Sequence, residues 1–158
     1  MMDLFLWLEG TALSTWVRES PSLFAFAGIL TSHTFGMAVL VGTSTVLNLR
    51  VLGVVGSIPF APLRMLFPVI WAGFLLNLMT GTLLFAADAT SRGTQWMFLV
   101  KMLFVAVGVA TVVLVKRQVY DANTEPVVVS GTAKRLAILS LVAWVVAITS
   151  GRLLAYVR

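Results

Sequence analysis

The sequence has no cysteine and a single histidine, and only 11% of its 158 residues are charged. Without cysteine there can be no disulfide, no thiolate metal site and no cysteine nucleophile. The six carboxylates all fall between or beside the long apolar runs, at Asp3, Glu9, Glu19, Asp88, Asp121 and Glu125. Proton-driven transport usually requires an acid inside the membrane, and hydrolytic sites pair a histidine with other polar groups. The sequence therefore favours neither a proton-coupled transporter nor a hydrolase.

Apolar residues dominate the chain, which is 59% hydrophobic and has a mean hydropathy of +1.01. A helix that crosses a bilayer needs roughly 20 apolar residues. Four stretches meet this length with at most one charge each: 20–49, 65–87, 93–115, which contains Lys101, and 136–157, which contains Arg152. The predicted fold is all-α: a single domain, 1–158, forming a four-helix transmembrane bundle with spans at about 21–49, 65–87, 94–116 and 133–157.

The segment 1–19 is predicted to be an amphipathic helix at the membrane interface. Its apolar residues Phe5, Leu8, Ala12 and Trp16 recur at helical spacing beside charged residues. It lacks the basic start of a signal peptide. Three connections follow from composition: an interfacial loop at 51–63, a short polar turn at 88–94 and a mobile polar segment at 121–132.

Basic residues flank the predicted spans unevenly. Six lie on one side, at Arg50, Arg64, Lys116, Arg117, Lys134 and Arg135, and three on the other, at Arg18, Arg92 and Arg158. By the positive-inside rule the six face the cytoplasm, so both termini are expected outside it. Because these residues are scattered at helix ends, the net charge of +5 does not indicate nucleic-acid binding.

Small residues recur at four-residue spacing in the first two spans. One row contains Gly28, Ser32 and Gly36, and the other contains Gly73, Asn77 and Gly81. Such rows allow helix backbones to approach closely in lipid. They predict packing within the bundle, with self-association through one row as the alternative.

Among the polar residues inside the predicted spans, we single out four, one from each helix: His33, Asn77, Lys101 and Arg152. At 1.5 Å per residue, all four lie in the middle or outer half of the bundle. A charge inside the bilayer costs about 2.5 to 3.5 kcal/mol on insertion scales. That cost favours a function, namely a shared pocket open to the outside. Snorkelling of Lys101 and Arg152, and hydrogen bonds of Asn77 and His33 to neighbouring helices, are the structural alternatives.

His33 also raises the question of a cofactor. It is a candidate axial ligand of haem b, with Met79 or Met102 as the second ligand. Together with Met37, four residues further on, it offers a soft pair for Cu(I). Transmembrane b-type haems usually have two histidine ligands, which one copy of this chain cannot supply.

Several stretches resemble a family of small four-helix bacterial membrane proteins that is classed as a domain of unknown function. They are SHTFGMAVLVGTSTVLNLRVLG at 32–53, WAGFLLNLMTGTLLF at 71–85, Lys101, and GRLLAY at 151–156. The family is loosely similar in layout to copper-resistance D-type and cytochrome b561-like membrane domains. The resemblance implies a four-helix bundle in the bacterial inner membrane.

These observations predict a non-enzymatic inner-membrane protein that binds a small or amphiphilic ligand in an outward-facing pocket. Lys101 and Arg152 would hold an anionic group, and His33 and Asn77 would bind polar atoms deeper in the pocket. We expect the bilayer as its surroundings and a homo-oligomer or larger membrane complex as its assembly. The alternatives are a b-type haem subunit for electron transfer and a structural accessory subunit.

Overall fold

The computed structural model describes residues 2–121, 128–154 and 156. This part of the chain forms eight α-helices: α1 (Met2–Glu9), α2 (Ala12–Glu19), α3 (Phe26–Leu52), α4 (Phe60–Leu63), α5 (Leu66–Ala86), α6 (Ala89–Thr94), α7 (Trp96–Val115) and α8 (Gly131–Leu153). A π-helical turn, Lys116–Tyr120, extends α7. The predicted all-α fold is confirmed.

Four helical stretches of the described chain are long and apolar enough to cross a membrane: Phe26–Leu52, Phe60–Ala86, Trp96–Tyr120 and Gly131–Leu153. Much of their apolar surface lies on the outside of the bundle. Met79, for example, is 68% exposed and Leu103 is 60% exposed. Surface of this kind is stable next to lipid chains and unfavourable in water. The protein is therefore a multi-pass membrane protein.

The long helices pack as two pairs, α3 with α5 and α7 with α8, and α3 joins the pairs by packing on α8. The short helices α1, α2 and α6 lie together against the C-terminal part of α5. We call this the capped end of the bundle. The opposite end contains the six basic residues counted above and is called the basic end.

Two glycines allow α3 and α5 to approach closely. A Cβ atom on Gly73 would lie 2.9 Å from the backbone nitrogen of Leu40 and 3.1 Å from the carbonyl oxygen of Gly36. A Cβ on Gly36 would in turn lie 3.0 Å from the backbone nitrogen of Asn77. The small-residue rows are thus used at these positions for packing inside the chain.

A polar cluster lies in the core between α3 and α8. The Asn48 side-chain amide donates to the Ser140 hydroxyl at 3.0 Å, and the Trp144 indole N–H donates to Ser44 at 3.2 Å. All four side chains are almost fully buried. Gly108 of α7 leaves room for the Trp144 ring, since a Cβ there would lie 2.8 Å from it.

The helix boundaries differ from the predicted ones where polar side chains bind the backbone. The first span begins at Phe26 and not near residue 21, because the hydroxyls of Ser20 and Ser22 accept the N–H groups of Ser22 and Phe24. These bonds form a turn that competes with the helix. The span ends at Leu52, and Gly53 terminates it with φ of 86°.

The connections are more helical than their composition predicted. The stretch 88–94, predicted to be a turn, contains α6, and the loop 51–63 contains α4. The interfacial segment forms two helices, because Thr11 breaks the run and caps α2 by accepting the N–H of Ser14. Of the predicted mobile segment 121–132, residues 122–127 lie outside the described part. The last described helix spans Gly131–Leu153, and residues 155, 157 and 158 are likewise outside the description.

Candidate functional site

A cavity of about 480 Å³ lies at the capped end of the bundle. Six helices and the α5–α6 junction contribute to its walls. Its polar and charged lining consists of Arg18 from α2, His33 from α3, Asp88 and Arg92 from the α6 region, and Lys101 from α7. The site therefore contains three cationic side chains, one carboxylate and the only imidazole in the sequence.

The remaining walls are mostly apolar. They include Phe26, Leu30, Leu84, Phe85, Phe98 and Leu154. Phe85 of α5 and Phe98 of α7 stack with their ring centroids 5.0 Å apart, and Phe5 of α1 meets Phe85 edge-on at 6.0 Å. The cavity thus combines an aromatic and aliphatic wall with a cluster of positive charge.

His33 is held against α5 through one ring nitrogen. Its Nδ1 lies 3.1 Å from the carbonyl oxygen of Asn77 and 3.1 Å from the hydroxyl oxygen of Thr80. Gly81 keeps this side of α5 open, since a Cβ there would lie 3.0 Å from the ring. The structure gives the other nitrogen, Nε2, no hydrogen-bond partner among the described residues.

Lys101 lies on α7 and is half-buried. Its aliphatic stem passes Gly151 of α8, where a Cβ would lie 3.4 Å from both Cδ and Cε of the lysine. Within the described residues, its ammonium group makes no hydrogen bond and no ion pair. The lysine therefore brings an unpaired charge to the cavity from within a membrane-spanning helix.

The two arginines lie at the rim of the cavity and have partial partners. Arg18 donates to the carbonyl oxygen of Ala87 at 3.1 Å and forms a 3.3 Å ion pair with Glu19. Arg92 forms a 3.0 Å ion pair with Asp88. Exposed pairs of this kind contribute little to stability. Both guanidinium groups keep donors that can bind an anion.

Of the four residues predicted to form a pocket, the structure brings His33 and Lys101 together in this cavity. Asn77 instead clamps two helices, because its amide donates to the carbonyl oxygen of His33 at 2.8 Å. Arg152 is exposed and is not among the residues that line the cavity. Its neighbour Gly151 contacts Lys101 instead.

Sequence reasoning did not identify Arg18 and Arg92 as part of the site. The sequence did offer a clue to both arginines. The count of flanking charges placed them on the outer side of the membrane, which is also the side on which the pocket was predicted. That α2 and α6 fold over the bundle end depends on tertiary contacts, such as those of Arg18 with Ala87 and of Glu9 with Thr90. A count of flanking charges does not reveal such a contact.

The structure does not bring the other candidate haem and copper ligands into the cavity that contains His33. The candidate axial ligands Met79 and Met102 are 68% and 46% exposed and are not among the residues lining the cavity that contains His33. Met37 does not line it either. Within the described residues there is no cluster of three or more His, Cys, Asp or Glu that could hold a metal ion.

The fold and this cavity define a multi-pass helical membrane protein with a cationic cavity at one end. Comparison of the chain with protein-family models, with curated proteins and with solved structures finds no match.

Proposed function

We propose that this protein binds an amphiphile with an anionic headgroup in the cavity at the capped end. The observation that carries the proposal is the ammonium group of Lys101, which lines the cavity without a partner among the described residues. Arg18 and Arg92 add positive charge at the rim of the same cavity. A bound anion would offset the charge of all three side chains.

The position of Lys101 makes a ligand more favourable than an empty site. It lies five residues after Trp96, which is about 7.5 Å along α7, and a charge at such depth is costly unless it is hydrated or paired. Snorkelling would orient the ammonium group towards the membrane surface. In this protein the path of the Lys101 side chain towards the membrane surface enters a cavity that already contains two guanidinium groups. A bound anion would reduce the repulsion among these positive charges.

The walls indicate that the ligand also has an apolar part. Phe26, Leu30 and Phe98 present ring and aliphatic surface that a fully polar ligand would not use. The volume of about 480 Å³ falls in the usual range for small-ligand sites, roughly 300 to 1,000 Å³. An amphiphile satisfies both parts of the lining at once.

The distribution of charge supports an orientation. With the basic end in the cytoplasm, the capped end and its cavity face the outside of a bacterial inner membrane. A non-enzymatic role agrees with the lining, which supplies one imidazole and one carboxylate that is already paired with Arg92. Assembly into an oligomer or a larger complex remains a prediction.

The test is headgroup-dependent stabilisation. The protein is placed in nanodiscs of zwitterionic lipid, and thermal unfolding is followed with dodecyl phosphate or dodecylphosphocholine below their micellar concentrations. Binding to the folded state stabilises it by about 2.7 kcal/mol when the ligand is at a hundred times its Kd. Dodecyl phosphate should therefore raise the Tm, and dodecylphosphocholine should raise it much less.

Two matched variants locate the effect. Lys101→Gln should lose most of the stabilisation by dodecyl phosphate. Lys134→Gln removes the same charge from an exposed position at the basic end and should keep it. Equal shifts with both amphiphiles, or a shift that survives Lys101→Gln unchanged, would contradict the proposal and favour a structural role for the polar residues.

A further inference from the structure

The hydrogen bonding of the two ring nitrogens of His33 indicates a further chemical feature of the ligand. We infer that the amphiphile has a single acyl chain and a free hydroxyl group beside its anionic headgroup, as in a lysophospholipid, and that Nε2 of His33 accepts the hydrogen of that hydroxyl. The inference rests on the proposed function, because it assigns a second contact within the same cavity.

The hydrogen bonds of His33 determine which nitrogen can accept. The carbonyl oxygen of Asn77, 3.1 Å from Nδ1, can only accept a hydrogen bond. The Thr80 hydroxyl, also 3.1 Å from Nδ1, donates its own hydrogen to the carbonyl oxygen of Leu76 at 2.6 Å, so it too accepts from the ring. A neutral imidazole here therefore has its proton on Nδ1, and its Nε2 is an acceptor.

This acceptor distinguishes His33 from the three cationic side chains of the site. Arg18, Arg92 and Lys101 can only donate hydrogen bonds, so an anion satisfies all three. An anion is the wrong partner for Nε2, which needs a donor. A ligand that satisfies all of these groups therefore presents an anionic group and a donor to the same cavity, and a hydroxyl is the simplest donor that leaves the net charge unchanged.

Depth along the helices places the hydroxyl between the headgroup and the chain. His33 lies seven residues after Phe26, about 10 Å into α3, whereas Lys101 lies about 7.5 Å into α7. Asp88 and Arg92 lie at the short helix α6, outside both spans. A ligand whose anionic group binds at Arg18, Arg92 and Lys101 thus meets His33 at the next atoms towards its chain.

The free hydroxyl itself implies a single acyl chain. In a glycerophospholipid with two chains, the oxygen on the central carbon is esterified and has no hydrogen to donate to Nε2. The cavity volume of about 480 Å³ is in the usual range for small-ligand sites, roughly 300 to 1,000 Å³.

A pair of probes isolates the hydroxyl. The first is 1-oleoylglycerol 3-phosphate, which has a free hydroxyl on the central carbon. The second is the oleoyl ester of propanediol phosphate, which lacks only that group. Binding of each is measured by native mass spectrometry of the full chain released from zwitterionic nanodiscs. One hydrogen bond corresponds to about a fivefold difference in Kd, so we expect the first probe to bind about fivefold more tightly.

Two variants assign the preference to His33. In His33→Asn the shorter amide can still donate towards the carbonyl oxygen of Asn77, but no acceptor remains at the position of Nε2. This variant should bind both probes equally. Thr34→Val is the control, since Thr34 is exposed and its hydroxyl bonds the carbonyl oxygen of Leu30 within its own helix. It should keep the full preference.

The outcomes separate the two proposals. Failure of both probes to bind would overturn the proposed function together with this inference. Equal binding of both probes to the unmodified protein would overturn only the inference, as would a preference that persists in His33→Asn. A fivefold preference that is lost in His33→Asn and kept in Thr34→Val is the expected result.

Discussion

At the scale of single residues, the polar side chains inside this bundle serve two different purposes. Asn48, Ser140, Ser44 and Trp144 bond to one another across α3 and α8 and are nearly inaccessible. Lys101 has no such partner within the described chain and lines a cavity instead. Burial and pairing therefore separate a structural polar residue from a candidate ligand contact.

The interhelical bond of Ser140 should contribute measurably to stability. Ser140→Ala leaves the buried amide of Asn48 with only its longer contact to Ser44, at 3.4 Å. We expect a loss of about 1 kcal/mol in the free energy of unfolding, since such bonds in membrane proteins average about 0.6 and reach about 1.7 kcal/mol. Unfolding in mixed micelles with increasing dodecyl sulfate measures this loss.

Ser150→Ala is the matched control for that experiment. Ser150 is also buried on α8, but its hydroxyl bonds the carbonyl oxygen of Val146 in the same helix, at 2.7 Å. Its loss should cost less, because no contact between helices is removed. Equal losses for the two serine variants would show that the Asn48–Ser140 bond does not stabilise the helix pair.

The sequence allowed His33 and Lys101 to be identified as site residues because each is conspicuous in an apolar helix. Arg152 was equally conspicuous. In the structure, however, its neighbour Gly151 packs against Lys101, and Arg152 itself is exposed. Consecutive helical positions differ by 100° in direction. Composition and spacing alone do not fix which of two neighbours faces the partner helix.

At the scale of helices, the crossing of α3 and α5 is set by backbone contact. In Gly73→Ala the new Cβ would meet the backbone of Leu40 at 2.9 Å, so the helices must separate. We expect a destabilisation of about 1 to 3 kcal/mol in the same unfolding assay. Gly42→Ala is the control on α3, because nothing lies within 4 Å of its Cβ position.

The glycine control should behave in the opposite direction. Alanine in a helix loses less entropy on folding than glycine, so Gly42→Ala should be neutral or up to about 1 kcal/mol more stable. If both glycine variants were destabilised alike, close backbone packing would not explain the α3–α5 crossing.

A carboxylate holds the N-terminal helices to the bundle. Oε1 of Glu9 accepts the hydroxyl of Thr90 at 2.6 Å and its backbone N–H at 2.7 Å. These two hydrogen bonds favour the ionised carboxylate and lower the pKa of Glu9 below its ordinary value of 4.5. The nearby positive charge of Arg18 lowers this pKa further. A group of this kind stabilises the fold above its unfolded pKa and ceases to do so as the pH falls through its folded pKa.

The attachment of α1 should therefore weaken in acid. As the pH falls below about 4.5, amide exchange in α6, corrected for intrinsic rates, should increase. In Glu9→Gln, amide exchange in α6 should already be raised at neutral pH and should not change further as the pH falls below about 4.5. Glu19→Gln is the control, because Glu19 forms an exposed pair with Arg18. This variant should match the unmodified protein. An acid response retained in Glu9→Gln would assign it to another group.

The helices themselves were predictable, whereas their ends and connections were less so. Long apolar windows locate the spans to within a few residues because bilayer thickness fixes their length. The start of α3 at Phe26 depends on two serine hydroxyls that bind the backbone. Helix α6 begins beside Thr90, whose N–H is bound by a carboxylate from a distant part of the chain. Such contacts have no local signature in the sequence.

At the scale of the whole molecule, the distribution of charge predicts the orientation. Alkaline phosphatase fused after Arg158 should be active and a fluorescent protein in the same place should be dark, because the C-terminus is expected outside the cytoplasm. Reporters inserted after Asn123 should give the reverse result. A fluorescent C-terminal fusion would place the cavity on the cytoplasmic side of the membrane.

The location of a bound anionic amphiphile shows directly whether the cavity at the capped end is a ligand site. A single-chain phosphate amphiphile with a diazirine near its headgroup is photolysed in the protein in nanodiscs, and adducts are mapped by mass spectrometry. We expect adducts at cavity residues such as Phe26, Leu30 and Phe98, which are lost in Lys101→Gln and kept in Lys134→Gln. Adducts confined to outward residues such as Leu75 and Leu103, and unchanged in Lys101→Gln, would contradict the proposed function.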